Sequence, residues 1–138
     1  MIDAENQIFT LVATELRSAF PGLYVTGEYE REPKKFPCVS IEEKDNAVWR
    51  NCRTNTSVEQ KAAVMYEVNV YSNKLNGKKQ EAKQIMAVAD EVFARKNFSR
   101  TMTSPIPNLA DATIYRLTSR YQAIVGPDGH GGFIVNIR

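Results

Sequence analysis

Two stretches of the chain carry apolar residues at the three- and four-residue spacing of an amphipathic helix. The first lies in residues 3–20 and the second in residues 78–96. Their apolar stripes consist of Ile8, Val12, Leu16, Ala19 and Phe20, and of Ala82, Ile85, Met86, Ala89 and Phe93. Pro21 and Gly22 follow the first stretch and end it, because proline cannot continue a helical hydrogen-bond ladder. The pattern therefore predicts two helices that each bury one side.

Elsewhere the apolar and polar residues alternate with the period of two that is typical of β-strands. The clearest case is residues 64–71, where Val64, Tyr66 and Val68 fall on one face. We expect Pro105 and Pro107 to interrupt the strand before them. The predicted strands are residues 23–29, 36–43, 64–71, 97–104, 113–125 and 133–138.

The order of these elements is helix, three strands, helix and then two or three strands. Such an order is typical of an α+β fold, with a largely antiparallel sheet and two helices packed on one of its faces. The length of 138 residues suits one compact domain, and neither an internal repeat nor a linker interrupts it. We therefore expect a single domain over residues 1–138.

Residues 44–63 fit no element well, although a structureless loop of that length is uncommon in a compact domain. Either the flanking strands continue outward as a long β-hairpin, or the segment is a mobile arm that a partner orders. Trp49 either folds back onto its own core or anchors the arm in a neighbouring subunit, where large aromatic residues contribute much binding energy. The candidate contact residues for a subunit or partner are Trp49, Arg50, Arg53 and Asn55.

Charge is nearly balanced over the whole chain but unevenly distributed along it. The formal net charge is +2. Residues 1–32 contain six acidic and two basic residues, a net charge of −4, and residues 33–138 carry a net charge of +6. The balance itself does not predict a nucleic-acid or membrane partner. The asymmetry is compatible with head-to-tail contacts between copies or with two ordinary solvated faces.

The sequence holds no set of residues that predicts a reaction. Nucleophile elbows, phosphate-binding loops and zinc-protease helices are all missing from it. His130 lies in a glycine-rich turn, and with Cys38 and Cys52 it supplies too few ligands at zinc spacing. The chain also has no run of eighteen apolar residues and no secretory signal at residues 1–5. We therefore expect no enzyme, no catalytic residue, no cofactor, no bound metal and no membrane partner.

Arginines mark one face of the predicted strand 113–125. Arg116 and Arg120 are four residues apart and so project from the same face, which Arg138 joins if the last strand pairs alongside. This face either presents positive charge to DNA phosphate or to an acidic partner, or it is a solvated sheet face. Tyr115 and Tyr121 fall on the opposite face, so charge and stacking do not interleave as single-strand binding requires.

Three segments resemble the minor structural proteins of tailed bacteriophages, and within them the tail terminator, or tail-completion, group of long-tailed phages. The resemblance consists of whole elements and covers most of the chain. Its segments are Tyr-Glu-Val-Asn-Val-Tyr-Ser-Asn-Lys at 66–74, Gly-Lys-Lys-Gln-Glu-Ala-Lys-Gln-Ile-Met-Ala-Val-Ala-Asp at 77–90, and Pro-Asn-Leu-Ala-Asp-Ala-Thr-Ile-Tyr-Arg-Leu-Thr-Ser-Arg-Tyr at 107–121.

This resemblance implies a non-catalytic protein of the virion tail or neck, assembled in the host cytoplasm. Tail terminators are small α+β proteins that form a ring, usually of six copies, on the head-proximal end of the tail tube. The implied partners are further copies of the chain, the tail tube protein and a head-completion protein, with DNA passing through the ring. Head–tail connector and neck proteins share this size and also form rings, so they remain an alternative. A small nucleic-acid-binding domain is a third interpretation.

Overall fold

The computed structural model describes residues 1–29, 33–49, 61–107, 111–127 and 133–136. Two helices and six strands follow one another in it, and the α+β fold that the sequence predicts is confirmed. The elements are α1 (Glu5–Ala19), β1 (Tyr24–Thr26), β2 (Cys38–Val48), β3 (Ala62–Ser72), α2 (Lys78–Arg95), β4 (Ser99–Ile106), β5 (Tyr115–Pro127) and β6 (Phe133–Asn136).

The strands form one mostly antiparallel sheet in the order β1-β2-β3-β5-β4, with β6 also paired to β5. Only β1 runs parallel to its neighbour, β2. β4 pairs with residues 116–122 of β5 and β6 with residues 124–127, while β3 occupies the other side of β5. β4 and β6 therefore share one column, and β6 continues the sheet past the end of β4.

The core lies between one face of this sheet and the two helices. β3 contributes the alternate residues Val64, Tyr66, Val68 and Val70, all of which are buried. Phe93 of α2 packs on them and on β5, where its ring stacks on that of Tyr121 at 4.2 Å and 4°. The apolar stripes of both helices face this layer.

Of the two alternatives for residues 44–63, the long hairpin agrees with the structure over residues 44–49 and 61–63. β2 and β3 pair from Cys38 opposite Tyr71 to Val48 opposite Ala62. The Trp49 N–H then donates to the Lys61 carbonyl oxygen at 3.0 Å. β2 thus ends five residues later than the alternation predicts, at Val48 instead of residue 43, because its polar outer half is stabilised by pairing with β3. Residues 50–60 lie outside the described residues.

Two strands differ from their predicted bounds for other reasons. β1 keeps only three of the seven predicted residues, and its pairing covers Cys38 to Ser40 of β2 alone. β4 runs through Pro105, where the prediction ended it. β4 pairs with β5 on one side only in the described part of the sheet, and such edge positions tolerate proline. A register shift between Arg100 and Met102 further distorts this strand.

Candidate functional site

Polar side chains gather on the sheet face that the helices leave uncovered. They belong to the residues that alternate with the core positions of β2, β3 and β5, and strand pairing places them in rows. In one row the Cα partners are Ser40, Asn69 and Thr118, and in the next they are Glu42, Glu67 and Arg120. We call this surface the open face, defined by Ser40, Glu42, Lys44, Glu67, Asn69, Tyr71, Arg116, Thr118 and Arg120.

Asn69 is the centre of the open face, and its side chain is fully buried. Its Nδ2 donates to Glu67 Oε2 at 3.1 Å. Its Oδ1 accepts hydrogen bonds from Arg116 Nε at 3.0 Å and from Thr118 Oγ1 at 2.5 Å. A single amide therefore ties β3 to β5, and Arg116 is bound to it.

Glu67 is the buried acid of the open face, with only 6% of the residue exposed. Arg120 Nε donates to Glu67 Oε1 at 3.1 Å, and Lys44 Nζ lies 3.9 Å from Glu67 Oε2. Burial alone would raise the pKa of this carboxyl. The hydrogen bonds from Asn69 and Arg120, with the charges of Lys44 and Arg120, outweigh burial and hold the pKa below its ordinary value. Glu67 is therefore ionised at neutral pH.

These contacts show what surrounds the two arginines that the sequence singles out. Arg116 and Arg120 do lie on one face, as their spacing predicts, but Arg120 is bound to Glu67 and Arg116 to Asn69. Arg138 lies outside the described residues. Glu67 and Asn69 were not predicted as site residues, although the sequence contains one signal for them. Two polar residues interrupt the most apolar strand at alternate positions, which places both on the arginine side once β3 pairs with β5.

Three buried polar atoms on the open face have no hydrogen-bond partner within the described ranges: Ser40 Oγ, Glu42 Oε1 and Tyr71 Oη. Burial raises the pKa of Tyr71 to about 12, partly opposed by the charge of Arg116. The guanidinium carbon of Arg116 lies 5.7 Å from the centroid of the Tyr71 ring, within cation–π range. The buried polar atoms at the rim of the open face are thus less completely hydrogen-bonded than those at its centre.

We expect Glu67→Gln to lower the free energy of unfolding at pH 7 by about 1.5 kcal/mol, because a neutral amide loses the charge-assisted bond from a partly exposed arginine. A carboxyl whose pKa is lowered on folding stabilises the fold above its unfolded pKa of about 4.5. That contribution disappears as the pH falls through the lower folded pKa. Urea unfolding of both proteins at pH 7 and pH 3 should therefore show a smaller difference at pH 3. An equal difference at both values contradicts the assignment.

A second cluster of acids lies on the helix side of the sheet, where α1 begins beside β2. Carboxylate oxygens of Asp3, Glu5 and Glu43 lie within 4.8 Å of one another, close enough to hold a cation. Burial raises the pKa of Glu43, as do the charges of Glu5 and Asp3, although Tyr66 Oη donates to Glu43 Oε1 at 2.9 Å. Glu5 Oε2 also accepts the main-chain N–H of Glu43 at 3.0 Å. The start of α1 is therefore fixed against the outer edge of β2.

Trp49 lies at the far end of the open face rather than in the core. It is half-buried and lines a cavity of about 440 Å³ together with Met65, Gln122 and Ile124. A larger cavity of about 900 Å³ lies on the helix side, between α1, the end of α2 and β6. Of the predicted contact residues only Trp49 is described, since Arg50, Arg53 and Asn55 fall within residues 50–60.

Comparison with known proteins adds no assignment to this geometry. No protein-family model and no curated protein matches the chain. Within the described ranges, neither helix is long and apolar enough to span a membrane.

Proposed function

We propose that this chain is a structural protein of a tailed-phage virion, a tail terminator that closes into a ring on the head-proximal end of the tail tube. It carries out no chemical step. The ring stops tube growth because one of its faces fits the last tube subunits and the other accepts no further ones. The second face then receives the head-completion protein, and DNA passes through the centre. The resemblance of three segments to this family implies a ring of six copies.

The hairpin formed by β2 and β3 is the observation that carries the proposal. From Lys44 onward most of β2 is exposed, yet the strand stays paired to β3 as far as Trp49. Val48 is 38% exposed at its end. A paired extension that ends in an exposed apolar residue is suited to contact a neighbouring molecule.

The electrostatics of the open face support a protein contact over DNA readout. Phosphate binding uses unpaired basic side chains. Here Glu67 offsets Arg120, and Glu42 lies 3.5 Å from Lys44. Basic and acidic groups therefore alternate along the open face, which is a pattern that favours a specific polar surface on a partner protein.

Electron microscopy of tails assembled with and without the protein tests the proposal. We expect tails of uniform length with a terminal ring when it is present, and overlong tails without that ring when it is omitted. Tails of normal length that fail to join heads would instead assign the chain to the neck. Tails of normal length joined to full heads would overturn both assignments.

We expect Trp49→Ala to weaken assembly at least tenfold while it leaves the fold intact, because the side chain lies outside the core and lines an open cavity. Sedimentation velocity measures self-association, and thermal unfolding checks the fold. Tyr29→Ala is a suitable control, since that aromatic side chain is 55% exposed and belongs to the segment after β1 rather than to the hairpin strands. A large loss of thermal stability in Trp49→Ala alone would place the tryptophan in the core.

A further inference from the structure

The sheet has two edges at the end where the hairpin lies, and both present main-chain groups outward. One edge is β6 and the other is the outer half of β2, from Lys44 to Val48, since the Glu43 N–H is already bound to Glu5 Oε2. β1 pairs only with Cys38 to Ser40, and no other strand in the described part of the chain pairs with that side of β2. Exposed edges of this kind are templates for pairing with another chain.

On β6, the hydrogen bonds of Phe133 define which way the main chain points. Its N–H donates to Gln7 Oε1 and its carbonyl accepts from Gln7 Nε2, both at 3.1 Å. The main chain of Phe133 therefore points away from β5 and toward α1. The N–H and carbonyl groups of a strand point to alternate sides from one residue to the next, so those of Val135 point the same way as those of Phe133. Val135 also lines the 900 Å³ cavity.

On β2, the same reasoning starts from Trp49. Its N–H donates to the Lys61 carbonyl, so its main chain points toward β3. The N–H and carbonyl of the preceding residue, Val48, therefore point away from β3, past the edge of the sheet. Strand pairing places Val48, Ala62, Val125 and Val135 in one row. The two outward-facing valines thus lie at opposite ends of a single row.

The strand directions at these two edges suit each other. β2 and β5 run in the same direction, since each is antiparallel to β3, and β6 runs opposite to both. When a second copy is generated by rotation about an axis along the strands, its β2 meets the first copy's β6 in antiparallel orientation. Such a heterologous contact repeats and closes into a ring when the rotation allows it.

Charge also matches across this contact. Asp3, Glu5 and Glu43 lie along the outer edge of β2, on the helix side of the sheet, and we call them the acidic edge. The charged residues that line the cavity beside β6, also on the helix side, are Arg95, Lys96 and Glu15, and we call this cavity the basic groove because its cations outnumber its acid. Arg95 already pairs with Glu15 at 3.3 Å, whereas Lys96 is exposed and has no acidic partner in the described segments.

We propose that the acidic edge of one copy docks into the basic groove of the next, with Ala47 and Val48 at the outer end of β2 placed beside β6. The occupant of the groove is a second copy of this chain. This interface rests on the proposed ring, and it names the residues through which the ring closes.

Charge reversal on each side tests the interface. We expect Lys96→Glu and Asp3→Lys each to weaken self-association about tenfold, because each places like charges together. An equimolar mixture of the two variants should recover association, since each then offers the side that the other needs. Lys79→Glu is the matched control, an exposed lysine near the start of α2 that lies outside the groove. Self-association is measured by sedimentation velocity and by ring density on assembled tails.

Val48→Pro tests the strand contact separately. Proline removes the outward-facing N–H of Val48 without removing a bond to β3, so we expect weaker association with the same thermal stability. Val48→Ala keeps that N–H and is the control. If the wild-type protein forms rings and neither charge reversal nor Val48→Pro weakens association, this interface is overturned and the terminator proposal stands. Wild-type protein that forms no ring in solution or on tails would overturn both.

Discussion

Phe93→Ala is expected to lower the free energy of unfolding by about 4 kcal/mol, a large part of the stability of a domain of this size. The side chain is 1% exposed, and its ring stacks on Tyr121. It also meets Phe98 edge-on at 5.1 Å and lies 6.3 Å from the ring of Tyr66. Truncation therefore opens a cavity and removes three aromatic contacts that join α2 to β3, β5 and the segment before β4.

Urea unfolding followed by circular dichroism measures this loss. Leu75→Ala is the matched control, because Leu75 is 98% exposed and its truncation should change the free energy by less than about 0.5 kcal/mol. A loss below about 1 kcal/mol in Phe93→Ala would mean that the helix layer does not pack on the sheet through this residue.

Asn69→Ala is expected to cost about 3 kcal/mol through a different mechanism. The amide makes three hydrogen bonds on the open face, and its loss leaves the buried Glu67 carboxylate with one donor fewer. Buried polar groups deprived of a partner cost about 1–3 kcal/mol each, more when charged. Thr118 is also buried and loses its acceptor.

Unfolding in urea again gives the measurement, and Asn73→Ala is the control, since Asn73 lies just beyond β3 and is exposed. We also expect Asn69→Ala to broaden the nuclear magnetic resonance signals of the Arg116 and Arg120 side chains, because the bond that orients Arg116 is gone. Unchanged stability would show that the open face is held by water rather than by this amide.

The helices were predictable from the sequence to within about two residues because their stripes are long and regular. Strand existence was predictable too, but partners were not. The parallel pairing of β1 with β2 follows from a crossover through the loop before β2, which no local pattern encodes. For the same reason the sequence left the extension of β2 open as one of two alternatives, because its polar outer half is a strand only by virtue of its pairing with β3.

The arginines show the same limit at the candidate site. Alternation along β5 was enough to place Arg116 and Arg120 on one face. The residues that bind them, Asn69 and Glu67, are 47 and 53 positions earlier in the chain. Whether a strand arginine presents its charge to a ligand or satisfies a buried acid depends on such distant pairing, which the spacing along β5 alone does not reveal.

The irregularity of β4 has a consequence for the proposed association between copies of the chain. A proline and a register shift make β4 a poor template for strand pairing, so the part of the sheet edge that β4 forms resists the addition of another strand. Within the described residues, the part of this edge that β6 forms has neither a proline nor a register shift. The proposed interface gives each copy two contact sites, one at the outer end of β2 and one at β6, and two sites per copy favour closed rings over branched aggregates.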